Sequence, residues 1–171
     1  TDISEPPFAT YFKNDNYYLL SASPERYLKK VGEKVISQPI KGTAKRSLNP
    51  DEDELIKVKL KSSIKEQAEN VMIVDLVRND LTKSAIKGTV KVDELFGIYT
   101  FPQVHQMIST ISCELHPDIH FIDAIKNAFP MGSMTGAPKK RVLELVEAYE
   151  LVQRGIFSGA VGYCTPDGSA D

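Results

Sequence analysis

Several short stretches of this sequence carry side chains able to do chemistry. Lys41 stands in Pro39-Ile40-Lys41-Gly42-Thr43. A lysine partly withdrawn from water has its amine freed as a nucleophile, although a lysine between Ile and Gly is more often a solvated surface residue. Glu66 and Glu69 lie three apart, so on a helix their carboxylates share a face. Such a pair needs positive charge, from Mg²⁺ in an oxygen-rich site or from Lys65 or Arg78 as structural ion pairs. Gly132-Ser133-Met134-Thr135-Gly136-Ala137-Pro138 brings two hydroxyls and backbone N–H groups toward a helix start. That suits a carboxylate or phosphate, and equally a plain capped helix; the Gly-Lys-Ser/Thr ending of a phosphate loop is missing. Glu25, in Ser23-Pro24-Glu25-Arg26, is a possible general acid or a turn carboxylate beside Arg26. His105 is a possible catalytic imidazole or a core histidine satisfied by its neighbours.

The elements that must position these residues are legible from patterning. Phe8 to Lys13, Tyr17 to Ala22, Tyr27 to Val31 and Lys34 to Ile40 read as a β-meander, with Gly32-Glu33 as a tight connection. Pro50 followed by four acidic residues opens a helix, where negative charge suits the dipole. Ser63 and Glu66 form a Ser-x-x-Glu capping box for a second helix reaching about Asp80, apolar on nearly every face and so expected to be buried all round. Thr89 to Phe101 is extended. Val104 to Leu115 is a strand with His105, Met107, Ser109, Ile111 and Cys113 on one face. A short helix at Phe121 to Phe129, a loop from Pro130 to Gly136 and a helix from Pro138 to about Gln153 follow. Phe157 to Thr165 reads as a strand whose turn, Pro166-Asp167-Gly168, has no returning partner.

The 171 residues, 42% of them hydrophobic, suffice for one ordinary globular domain. A net charge of -2 gives no electrostatic footprint for nucleic acid or for an anionic membrane. Apolar runs such as Val71 to Val74 are far too short to span a bilayer. Cys113 and Cys164 have neither metal nor disulfide spacing, so two small buried thiols in a reducing, cytoplasmic setting are expected.

In order and spacing, six segments resemble the chorismate-binding enzymes. They are Ser23 to Arg26, Pro39 to Thr43, Glu69 to Leu81, Val104 to Met107, Gly132 to Lys139 and Phe157 to Tyr163. The resemblance implies an α+β fold of large antiparallel sheets packed with helices. It also implies that residues 1–171 form a single incomplete catalytic domain, lacking an N-terminal region and a C-terminal portion. Lys41, where relatives making anthranilate, isochorismate or salicylate typically carry Ala, resembles the branch that converts chorismate and ammonia to 4-amino-4-deoxychorismate for folate synthesis. Asn70 after Glu69 leans the same way. Anthranilate synthesis, or a non-catalytic module of the same fold that binds a ligand or partner, are the alternatives.

On this resemblance, Lys41 is the nucleophile, Glu25 the acid and His105 a polar residue near the ring. Gly42, Thr43, Thr135 and Gly136 contact substrate, and Glu69 with Glu66 holds Mg²⁺. Ammonia is supplied by a glutamine amidotransferase subunit. Met131, Met134 and Phe157 depart from the more usual family residues. Because relatives hold further Mg²⁺ and carboxylate ligands beyond this span, the 171 residues alone are expected to turn over chorismate and ammonia little or not at all; robust product formation by this chain would contradict that.

Overall fold

The computed structural model describes residues 5–171. Its organising strand is β7 (Val104–Glu114), which is buried on both faces for most of its length. On one edge it pairs antiparallel with β6 (Lys91–Thr100). The other edge takes β4 (Lys34–Gln38) and then β5 (Ile40–Lys45), two consecutive segments running antiparallel along it. The backbone N–H of Ser109 donates to the Pro39 carbonyl at 3.2 Å, so pairing continues across the break. The expected single strand ending at Ile40 is therefore a longer one, interrupted where Pro39 has no N–H to offer. β3 (Arg26–Val31) pairs with β4 and completes the five-stranded sheet.

Between Ile40, opposite Ile108, and Thr43, opposite Gln106, the β5 side advances three residues while β7 advances two. This extra residue is a β-bulge, and it falls at Lys41-Gly42. A bulge bends its strand and re-aims the side chains within it.

The remaining strands, β1 (Phe8–Asn14) and β2 (Tyr17–Ser23), form a separate antiparallel ribbon, with Asp15 at positive φ in its turn. Asparagine and aspartate tolerate that conformation better than other residues bearing a Cβ.

Helix α1 (Pro50–Ser62) starts where the sequence predicts: Asn49 accepts from the N–H groups of Asp51 and Glu52, and Pro50 needs no partner. Helix α2 (Ile64–Thr82) starts on Ser63, whose hydroxyl accepts from the Glu66 N–H. The capping box is only half formed, since the Ser63 N–H donates to Leu60 instead and the Glu66 side chain turns to the sheet. α2 is also not buried all round. Asn70, Ile73, Val74, Asp80 and Leu81 are buried, whereas Val71 and Met72 are exposed. The i, i+3, i+4 spacing of the buried set lays one stripe on the sheet.

The core joins Val74 and Leu81 of α2 to Ile111 and Cys113 of β7 and to Phe121, Ala124 and Ala128 of α3 (Phe121–Ala128). The loop after α3 contains a single turn, α4 (Gly132–Thr135), and leads to α5 (Lys139–Tyr149). Pro138 precedes α5 rather than opening it. The helix stops four residues before Gln153, because Glu150 leaves helical geometry and pairs with Arg154.

Phe157 to Thr165 is not a strand. Only Cys164 bridges, to Ala170, and the turn at 166–168 does have a returning partner: Ala170 pairs with Lys30 of β3 as well. Cys164 is exposed, contrary to expectation, while Cys113 is buried and its thiol is pushed up to about 11 by burial. The architecture is α+β with antiparallel sheets, as the resemblance implied.

Ile111 is fully enclosed and Leu48 fully exposed. Ile111→Ala should cost about 2–5 kcal/mol in urea unfolding, and Leu48→Ala should fall within about 0.5 kcal/mol of the parent.

Candidate active site

The bulge brings two of the candidate groups to one place. Gly42 has φ +97, outside the range comfortable for a residue with a Cβ. A Cβ built there would lie 3.2 Å from Glu66 Oε2 and 3.2 Å from the Met107 Cβ. The bare glycine lets α2 settle with the Glu66 side chain close on the strand next to Lys41. Glycine suits this position by backbone angle, and a Cβ would also crowd Glu66 and Met107.

Glu25 reaches the same region from the β2–β3 connection. There the Ser23 hydroxyl accepts from the Glu25 N–H at 3.2 Å and fixes the turn. Its carboxyl is pushed up by burial; hydrogen bonding by the Ser133 hydroxyl, the nearby Lys41 charge and the Ile40 backbone N–H oppose that rise. Lys41 is half-buried, and its charge acts on Glu25. Glu25 and Ser133 also line a small cleft of about 20 Å³, room for about one water. A roomier groove, lined by Asp75, Arg78 and Lys87 among others, contains none of the candidate residues.

Glu66 and Glu69 share one face of α2, and Lys65 Nζ lies 3.8 Å from a carboxylate oxygen of each. Of the two readings of this pair, Lys65 therefore answers part of the charge requirement, while Arg78 pairs with Asp75 on the exposed side. Lys65 is itself largely exposed, so its ion pairs are screened and easily exchanged. Two adjacent carboxylates, Glu66 close on β5 and Glu69 more exposed, neutralised only by a mobile ammonium, fit part of a Mg²⁺ shell. Among the described residues no third His, Cys, Asp or Glu joins them.

Other candidates are placed differently. Thr43 is opposite Gln106 and so shares the face of the sheet away from Met107 and Glu66. The Thr135 hydroxyl donates to the Met131 carbonyl at 2.9 Å, within the α4 turn. Gly136 ends that turn at φ 126, ψ −176, a conformation that essentially only glycine adopts.

His105 is wholly enclosed, with Nε2 2.8 Å from Asp53 Oδ1 and Nδ1 3.0 Å from the Thr100 hydroxyl. An ionised carboxylate only accepts, so Nε2 carries the hydrogen and donates to Asp53. Burial pushes the Asp53 carboxyl up, but hydrogen bonds from His105, the Ser47 N–H and Arg46 outweigh it and hold it at about 2. This cluster ties α1 to the end of β5 and to β7.

Sequence reasoning missed three residues: Asp53, Ser133 as a partner of Glu25, and Asp80. Asp80 is buried and paired with Lys139, which also donates to the Ala128 carbonyl at 3.0 Å. Lys139 was visible as the end of the Gly132 segment; Asp53 was masked by its acidic neighbours.

The profile of the chorismate binding enzyme family matches residues 1–171. The chain belongs to this family. It is 42% identical over 165 residues to aminodeoxychorismate synthase component 1 of Escherichia coli (strain K12), covering 96% of this chain and 36% of that protein. It is 45% identical over 168 residues to the chloroplastic aminodeoxychorismate synthase of Arabidopsis thaliana, covering 96% of this chain and 18% of that protein. Among solved structures, anthranilate synthase component I from Streptococcus pneumoniae TIGR4 superposes with a TM-score of 0.85 at 29% identity, over 96% of this chain and 36% of that one. The chain thus spans about a third, or less, of the length of these relatives. No helix among the described residues is long and apolar enough to cross a membrane.

The Asp53 carboxyl is ordinarily near 3.8 and is depressed to about 2 when folded. Its contribution to stability is therefore complete above about pH 4 and is lost as pH falls through about 2. Asp53→Asn should lower the urea midpoint at pH 7, with the gap to the parent closing between pH 4 and 2; a gap independent of pH would show that the charge is immaterial.

Proposed function

We propose that this chain supplies the lysine-and-acid side of an aminodeoxychorismate synthase site, in which chorismate and ammonia give 4-amino-4-deoxychorismate and water. The observation that carries the reading is the Lys41-Gly42 bulge, with Glu66 resting on the glycine and Glu25 buried within reach of the lysine's charge. The identity to relatives named aminodeoxychorismate synthase supports the choice of reaction.

In this reading the Lys41 amine attacks ring carbon 2. Both ring double bonds shift, and the hydroxyl on carbon 4 leaves as water with the proton held by Glu25. Ammonia then bonds to carbon 4, both double bonds return, the Lys41 amine leaves carbon 2 unchanged, and the Glu25 carboxylate takes back a proton from the added nitrogen. Burial suits Glu25 to this task by favouring its protonated form. Glu66 and Glu69 would hold Mg²⁺, which supplies charge neutralisation for a substrate carboxylate. His105, enclosed opposite Ala44, keeps the β5–β7 pairing in place, and the backbone of Gly42, Thr43 and Gly136 borders the substrate. Ammonia would come from a glutamine amidotransferase subunit, in a cytoplasmic setting or its organellar equivalent.

Product analysis with the full-length protein tests this. Chorismate with ammonium should yield 4-amino-4-deoxychorismate, Lys41→Ala should abolish it, and Glu25→Gln should lower kcat by roughly 10²–10⁴-fold. Anthranilate as the product, or full activity in Lys41→Ala, would overturn the assignment.

A further inference from the structure

We propose that Lys139, seated on Asp80, is a positioning residue for the Gly132–Gly136 turn: its ammonium fastens the base of that turn to α2 and so sets where Gly136 meets the substrate. The assignment rests on the reading above that Gly136 borders the substrate, and it gives a task to a pair of buried charges that the chemistry itself does not use.

Asp80, near the end of α2, and Lys139, the first residue of α5, stand 59 positions apart, with side chains only 6% and 14% exposed. The Lys139 ammonium pairs with Asp80 Oδ2 and donates to the Ala128 carbonyl at 3.0 Å. Asp80 Oδ1 takes Lys83 Nζ at 2.9 Å, and Lys83 donates to the Asn127 carbonyl at 3.1 Å. One carboxylate thus holds two ammoniums, each set on a carbonyl at the C-terminal end of α3, where the backbone lacks helical partners and carries partial negative charge. The two are not equivalent. The Lys83 side chain is 47% exposed, so water can take its place, whereas Lys139 is shut in and has no such substitute.

That placement closes a loop. Ala128 ends α3 and Lys139 begins α5, so the bond between them, 11 positions apart, draws together the two ends of the connection that bears the turn. On α2 this connection has two seats, Leu76 and Asp80, four residues apart and so on one face of the helix. A Cβ on Gly132 would lie 2.6 Å from Leu76 Cδ2, so the turn rests directly on the first seat, and Lys139 is held at the second. Glu66 and Glu69 continue the same i, i+3, i+4 series through Ile73 toward the other end of the helix. α2 is therefore a common frame for the carboxylate pair and for Gly136. The apolar contact at Leu76 has no direction and tolerates sliding, whereas the ion pair, with a carbonyl fixing its other side, does not. The Thr135–Met131 hydrogen bond keeps the shape of the turn without anchoring it to α2, and Arg154 holds the Met134 carbonyl at 2.9 Å from beyond α5.

In the full-length protein, with chorismate and ammonium, Lys139→Met should raise KM for chorismate roughly 10–100-fold while kcat stays within about threefold, the pattern of lost substrate placement. A merely structural loss would lower the folded fraction, and with it the apparent kcat, and leave KM where it was. Asp80→Asn should raise KM in the same way, and the double variant should be no worse than the poorer single one, since the pair acts as a unit. Lys139→Arg, which keeps the charge, should retain most of the parent's affinity, and Lys83→Met should leave KM unchanged. Lys139→Gln covers the case in which the methionine variant does not fold, and should raise KM in the same direction. Amide hydrogen exchange without substrate should be faster over residues 132–136 in Lys139→Met, with α2 and β7 as protected as in the parent. That readout does not depend on which product forms: a raised KM with anthranilate as product would sink the assignment of the reaction and leave the role of Lys139 standing. An unmoved KM in folded Lys139→Met and Asp80→Asn, or exchange over 132–136 equal to the parent's, would overturn that role.

Discussion

Everything at the candidate site depends on the close approach of α2 to β5 at Gly42. The sheet inserts one residue there, and α2 rests its Glu66 side chain on the opening. A side chain at position 42 would press on the Glu66 and Met107 side chains, and would have to adopt φ +97 besides. One residue without a Cβ thus lets the Glu66 side chain of α2 rest on β5 at the residue next to Lys41. The bulge costs a ladder hydrogen bond and local regularity, a cost that such irregularities near functional sites commonly carry.

The layers beneath the bulge keep it in register. β7 is held on both edges, so a slip of one residue would carry Met107 and Ile111 to the opposite face and break pairing on both sides at once. Buried polar groups reinforce the same register. Asn70 of α2 accepts from the Ser109 hydroxyl at 2.5 Å, and that hydroxyl in turn accepts from the Phe96 N–H at 3.1 Å. The Asp53–His105–Thr100 cluster does the equivalent at the other end of β7. Both networks are satisfied, and their bonds have directions that an apolar contact lacks, which fixes α1 and α2 against the sheet.

Much of this was readable in the residues. The helix starts at Asn49 and Ser63, the alternation along β7 and the six ordered motifs all carry local signals, because caps and periodicity act over a few residues. The errors came where distant parts of the chain decide. Val71 and Met72 look like core residues in a run, but the stripe actually buried on α2 is set by where β7 lies. Phe157 to Thr165 has strand composition, yet only Cys164 bridges within it, to Ala170, which also pairs with Lys30. The Lys41 motif was visible, whereas the bulge that aims it depends on pairing with residues more than sixty positions away. Ser133 likewise stood in a legible segment without any sign that its partner would be Glu25.

The central claim is that Lys41 is presented to a substrate ring as a nucleophile. Peptide mass mapping of the full-length protein, treated with chorismate in the absence of ammonia and quenched in acid, tests it directly. The account predicts an adduct of chorismate less one water on the peptide containing Lys41, lost when ammonium is added before quenching. Product formation on adding ammonia, with no adduct at Lys41 at any time and undiminished turnover in a variant lacking that amine, would contradict it.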